Sequence, residues 1–116
     1  MILKKQTDIP QTPVTKANSK KTFIQILIGP EDGAPHYIMR RFEIQGNGEI
    51  GLHDHPEEHE IYILSGQVEV FNDQGERYLA KANDVLYVPP YEKHGYKNPH
   101  PTESVYFICV IPILKE

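Results

Sequence analysis

His53-Asp54-His55-Pro56-Glu57-Glu58-His59-Glu60-Ile61-Tyr62-Ile63-Leu64 is the stretch on which the reading of this chain turns. His53 and His55 are two residues apart, so on a strand both imidazoles project from one face. Each can then offer a ring nitrogen at ~2.0–2.2 Å to a shared ion. His55 and His59 also have the i, i+4 spacing of helical zinc proteases, whose motif places Glu after the first histidine. Here that position is Pro56, and the β-patterned run Ile61–Leu64 follows at once, so a helix is rejected. The bland alternative is a charged, solvent-exposed turn. His94, much further along, follows another β-rich run and the turn-prone Pro89-Pro90. In a β-barrel, strand pairing can bring such distant residues together.

Outward from this stretch the chain is a series of short β-rich runs divided by turn residues. Phe23–Ile28 stops at Gly29-Pro30, and His36–Ile44 stops at Gly46-Asn47-Gly48. Ile61–Leu64 turns at Ser65-Gly66 into the alternating Gln67–Phe71, which ends at Asn72-Asp73-Gln74-Gly75. Arg77–Ala80, Val85–Val88 and Val105–Ile111 complete the set. No window holds a sustained 3.6-residue apolar repeat, and ten prolines interrupt most helical candidates. Residues 1–21, with Pro10 and Pro13, read as an arm or edge segment, and residues 22–116 as the barrel. Phe23–Ile28 and Val105–Ile111 are apolar on both faces. Either a second subunit covers the outer face, making a homodimer, or two sheets pack within one chain.

At 116 residues there is room for one domain only. With 39% hydrophobic and 24% charged residues the chain reads as globular rather than disordered. A net charge of −4, with no basic cluster beyond Lys20-Lys21, argues against nucleic acid as a partner. No apolar run approaches the ~20 residues of a membrane-spanning helix, and Met1–Lys5 does not open a signal peptide. The single cysteine, Cys109, cannot form an internal disulfide, which fits a reducing compartment and makes the cytoplasm the default.

Two stretches resemble the motifs of the cupin superfamily. Gly48 to Gly66 is similar to its first motif: a Gly-bearing turn, His-x-His, a third ligand, a short hydrophobic strand and a closing Gly. Asn83 to Asn98 is similar to its second, with Pro89, His94 and Asn98 in register. The resemblance implies an all-β fold, a double-stranded β-helix or jelly-roll cupin barrel in a single domain, with a metal site. Three departures stand out. Asn47 takes a glycine position of the first motif. Asn83 replaces a glycine of the second and tolerates positive φ better than other side chains. Tyr91 replaces another, which suggests a turn of different conformation near His94.

Many cupins hold their metal with three His and one Glu, and here Glu60 directly follows His59. Strand parity does not choose between them. His-Pro-x-Glu-His-Glu before a hydrophobic strand looks like small cupins with an all-histidine, often manganese-containing site. The resemblance thus implies His53, His55, His59 and His94 as ligands, with Glu60 outside the set. It points to manganese or iron, whereas the affinity order at imidazoles favours copper, nickel or zinc. Four neutral imidazoles leave the ion's charge uncompensated. Four ligands on an ion that prefers six leave two positions for water, substrate or dioxygen.

Phe107, Cys109 and Ile111 share one parity of the last strand and are pocket candidates, although Cys109 also reads as a small buried hydrophobe. Ile50 is expected at the pocket mouth. Arg40 and Arg41 are adjacent, so one of them, with Arg40 the pocket candidate, can point inward and hold an anionic substrate; the commoner arrangement leaves both solvated at an edge. His36 and His100 are expected at the surface. Function is then a metalloenzyme of oxidase or dioxygenase type on a small organic molecule. A sugar-type isomerase or a non-catalytic ligand- or metal-binding module is the alternative, because the fold alone hosts many chemistries.

Overall fold

The structure, a computed structural model, describes residues 1–115. Nine strands make up nearly all its regular structure: β1 (Thr12–Pro13), β2 (Lys20–Ile28), β3 (Tyr37–His53), β4 (His59–Ser65), β5 (Gln67–Asn72), β6 (Arg77–Lys81), β7 (Val85–Val88), β8 (His94–Lys97) and β9 (Val105–Pro112). Three single turns of 3-10 helix lie at Gln6–Asp8, Lys16–Asn18 and Pro30–Asp32. All pairings are antiparallel, in the order β6-β5-β8-β3-β9-β4-β7, with β2 added beside β3 and β1 beside β2. The sheet curls into a nearly closed barrel whose seam lies between β6 and β7. Among the described residues no helix is long and apolar enough to cross a membrane.

Alternation along each strand fills the interior. Phe42, Ile44, Ile61, Ile63, Val68, Val70, Val105 and Phe107 are buried, while Tyr62, Leu64 and Tyr87 face out. Phe42 and Phe107 stack at the centre with ring centroids 5.2 Å apart. The strand expected to stop at Gly46-Asn47-Gly48 does not stop: β3 runs for 17 residues through it. Asn47 takes a left-handed φ of 62°, and the register slips there, so that Thr22 pairs with Ile44 but Lys20 with Glu49. Before this point β3 lies between β2 and β9; after it, β3 pairs with β8.

Both other glycine replacements also sit at positive φ, Asn83 at 75° and Tyr91 at 65°. Tyr91 therefore keeps the left-handed conformation a glycine would adopt, and the expectation of a different turn is corrected. Its N–H donates to His55 O at 2.9 Å, which ties the turn before His94 to the histidine loop.

Asn98, fully buried, locks the end of β8 to β3 and to the loop before β9. Its amide donates to Ile44 O at 2.9 Å and Glu103 O at 2.7 Å, and its oxygen accepts from His100 N. His100 lies at the surface as expected, about 35% exposed, with its Nδ1 accepting from the backbone of Thr102 and Glu103. Asn98→Ala removes the donor from one buried carbonyl, Ile44 O, and one part-buried carbonyl, Glu103 O, and a loss of about 2–4 kcal/mol in urea denaturation is expected.

Candidate metal centre

Four imidazoles meet at one end of the barrel. His53 ends β3, His59 opens β4, His94 opens β8, and His55 sits in the loop between β3 and β4. His55 is thus held by its loop rather than by strand parity. Ring centroids lie 4.5 Å apart for His53–His94 and His55–His59, and 5.0 Å apart for His55–His94 and His59–His94. One ring nitrogen from each of His53, His55 and His94 falls within 4.8 Å of the other two. His59 stands outside that trio, yet its Nε2 is 2.7 Å from His55 Nε2.

Hydrogen bonds fix two tautomers. His53 Nδ1 lies 2.7 Å from Gly51 O, and His94 Nδ1 2.7 Å from Glu92 O. A carbonyl only accepts, so both Nδ1 atoms carry the proton and both Nε2 atoms keep a free lone pair. A histidine that holds a metal is usually oriented by a hydrogen bond from its other ring nitrogen to a carbonyl or carboxylate. His94 Nε2 is buried with no protein partner, as is His55 Nδ1. An ion among these nitrogens supplies the missing partner of His94 Nε2, and the residues fit a divalent transition metal.

Burial favours the neutral form of three of these imidazoles, His53, His59 and His94. It lowers the His59 pKa to about 2, helped by the charge of Arg40 and then by the other histidines. It lowers His94 to about 4, against a raising hydrogen bond to Glu92 O. His53 is lowered by burial too.

Behind His59 lie Arg40 and Cys109. His59 Nδ1 is 2.8 Å from Cys109 Sγ, and Arg40 Nη2 is 3.0 Å from the same sulfur and 3.2 Å from Nδ1. Burial pushes the Cys109 thiol up, with Arg40 opposing. Glu60 points the opposite way, exposed on the outer face between Val110 and Tyr87. Of the two arginines, Arg40 points inward and is 6% exposed, whereas Arg41 lies over the Tyr106 ring at 4.4 Å.

A small cavity beside the histidines is lined by Lys16, Arg40, Phe42, Ile50, His53, His59, Tyr96, Phe107 and Cys109. Ile50 belongs to its buried wall rather than to a mouth, since it pairs with Tyr96 across β8. Ile111 packs against the core without lining this cavity. Lys16 and Tyr96 escaped sequence reasoning. Lys16 sits in the arm and has no motif around it, and Tyr96 is one of seven tyrosines in a chain whose β8 was not foreseen. A second opening, a cleft of about 240 Å³ at the seam, reaches His94 between Val70, Tyr78, Leu86 and Val88.

The comparisons agree with this geometry. The cupin domain family matches residues 40–111, so the chain belongs to the cupin family. It is 32% identical over 77 residues to the "Oxalate-binding protein" of Thermotoga maritima, covering 66% of this chain and 63% of that relative's length. The chain therefore spans somewhat less than two thirds of the curated relative it matches. Among solved structures, the polyketide cyclase RemF of Streptomyces resistomycificus superposes with a TM-score of 0.90 at 29% identity, covering 100% of this chain and 88% of RemF. A predicted oxalate decarboxylase of Thermotoga maritima gives a TM-score of 0.83 at 23% identity, over 97% and 100% of the two chains, a likeness of fold.

The depressed histidine values set a pH dependence for the metal-free chain. Unfolded histidines protonate near pH 6.5, while folded His94 resists to about 4 and His59 to about 2. Between those values the unfolded chain binds more protons. Stability is therefore full above pH 6.5 and falls on acidification, by about 1.4 kcal/mol per unit of depression. Thermal melts of the metal-free protein from pH 7.5 to 4 should show Tm falling below pH 6.5, with a shallower fall in His94→Gln.

Proposed function

We propose that this cupin is a metal-dependent enzyme, of oxidase or dioxygenase type, acting on a small organic molecule. The observation that carries this reading is the cluster of inward-facing, neutral imidazole nitrogens at the barrel end, with a cleft leading to His94. His53, His55 and His94 supply three ligands and His59 the fourth. His59 Nε2 lies 2.7 Å from His55 Nε2, close enough for both nitrogens to turn toward one ion. If His59 Nε2 held an ion, the ring proton would sit on Nδ1, 2.8 Å from Cys109 Sγ as an acceptor. Glu60, facing the outer surface, stays out of the set. Manganese is the first assignment, with iron, zinc, nickel or copper as the others to test. When bound, the ion supplies Lewis acidity and coordination positions open to a small molecule.

The second reading, a ligand-binding module without turnover, is favoured by the relative named for binding oxalate. Elemental analysis, followed by oxygen uptake and product assays on phenols, diketones, sugars and small organic acids, separates the two. Turnover that needs the metal supports the enzyme; tight binding of one of these compounds with no turnover of any supports the module. His59→Ala should cut metal affinity about 10–100-fold, and Glu60→Ala should leave it unchanged. Metal affinity preserved in His59→Ala would remove His59 from the ligand set.

We propose also that the protein is a homodimer built on the outer face of β2-β3-β9-β4-β7. Ile28, Tyr37, Met39, Tyr62, Leu64, Val85 and Tyr87 are each between 38% and 75% exposed there. Two apolar hollows on this face meet at Val110. A standard protein interface needs about 800 Å² per partner, and a continuous run of exposed apolar side chains is what such an area requires. Sedimentation should give a dimer for the wild type and a monomer for Val85→Glu combined with Tyr87→Glu. A monomeric wild type would rule this interface out.

A further inference from the structure

Arg40 is a buried cation with no anion. Among the described residues the ion pairs are Lys4–Asp32, Arg77–Glu69 and His100–Glu103, and none involves Arg40. Its contacts are to a neutral imidazole, a thiol and the Phe42 ring. Its Nε is buried without a partner. Removing a cation from water without a counter-charge costs several kcal/mol, so the arrangement is one that an anion would relieve.

A second orphan lies in the same cavity wall. Tyr96, 4% exposed, has a buried Oη with no partner. Buried hydroxyls are almost always bonded, and one that is not calls for an explanation. Lys16 adds a third donor from outside the barrel. It stands on the 3-10 turn Lys16–Asn18, where Ala17 and Asn18 both take a left-handed φ of 55°. The turn presses Ala17 O so closely onto β3 that a Cβ at Gly51 would collide with it. This clamps the turn across the barrel end and puts Lys16 on the cavity it shares with Arg40 and Tyr96. Among the described residues no carboxylate lines that cavity, although Glu57 acts on Lys16 from outside it.

The enclosed space is about 10 Å³, enough for one oxygen atom. We propose that Arg40, Tyr96 and Lys16 form an oxyanion subsite that takes the carboxylate of a small organic acid while the rest of the molecule lies toward the histidines. This deepens the metal-site reading and rests on it for the placement of the remaining ligand atoms. Lys16 and Tyr96 set specificity by touching the substrate. With one oxygen between Arg40 and Tyr96, a carboxylate leaves only a flat carbon and one further oxygen to be accommodated outside, whereas a phosphate leaves three oxygens around a tetrahedral centre.

The test is calorimetric titration of malonate, lactate and benzoate into metal-loaded and metal-free protein, with malonamide and inorganic phosphate as controls and metal content measured on every sample. At least one acid should bind the wild type, while malonamide and phosphate do not. Tyr96→Phe and Lys16→Ala should each weaken that acid about tenfold, the loss of one hydrogen bond to a charged group, with metal content unchanged. Lys16→Arg should recover most of the affinity.

Tyr96→Phe has a second readout. Deleting an unsatisfied buried hydroxyl should leave the ligand-free Tm equal or higher while affinity falls, a combination that a merely structural tyrosine would not give. Wild-type affinity in both variants, or phosphate binding as tightly as the acids, would overturn the subsite. If the wild type holds metal and binds none of the acids, the subsite falls and the metal site stands. If it holds no metal, acid binding that still depends on Lys16 and Tyr96 supports the subsite alone, and no binding overturns it.

Discussion

Strand β3 exchanges hydrogen bonds with β2 and β9 along its first half and with β8 along its second, and the rest of the barrel is arranged by that change of partners. Arg40 and His53 are thirteen positions apart on it, which in straight extended backbone is roughly 40 Å. Both nevertheless line one small cavity. The strand must therefore turn sharply, and the left-handed Asn47 between Gly46 and Gly48 is where it does so. Asn98 holds the turn from inside by bonding Ile44 O with its side chain and Gly48 O with its backbone.

The same bend separates the two chemistries of the barrel end. The later part of β3 delivers His53, beside β8 with His94, to the metal side. The earlier part delivers Arg40, beside β9 with Cys109, to the region behind His59. Neutral imidazoles and a lone guanidinium are thereby packed together with no carboxylate between them. Burial disfavours the charged forms of His53, His59 and His94, whereas a guanidinium does not give up its proton in proteins. Arg40 therefore stays a cation among groups that offer it no counter-charge.

The arm contributes more than an edge. Thr12–Pro13 pairs with β2, and Gln25 is buried by hydrogen bonds to the backbone of Gln6 and Ile9. The following turn carries Lys16 over the cavity. A segment that reads as polar and proline-broken in sequence thus forms part of the site wall. Polar composition describes how a segment meets water, while its contacts depend on where the fold puts it.

Sequence alone determined most of the strand runs, the tolerance of Asn83 for positive φ, and the candidate histidines. These follow from local rules of alternation, turn chemistry and spacing, which need no knowledge of distant neighbours. It could not show that β3 continues through its glycines, because a bend with bulged pairing and a chain reversal use the same residues. Nor could it choose Arg40 over Arg41 or His59 over Glu60 for the interior, since strand parity allows either until the partners are known. Tertiary structure decided both by fixing which face of β3 and of β4 meets Phe107 and Cys109 on β9. It alone placed Lys16 and Tyr96, eighty residues apart in the chain, against one cavity, a proximity that comes from strand pairing and leaves no mark in the local sequence.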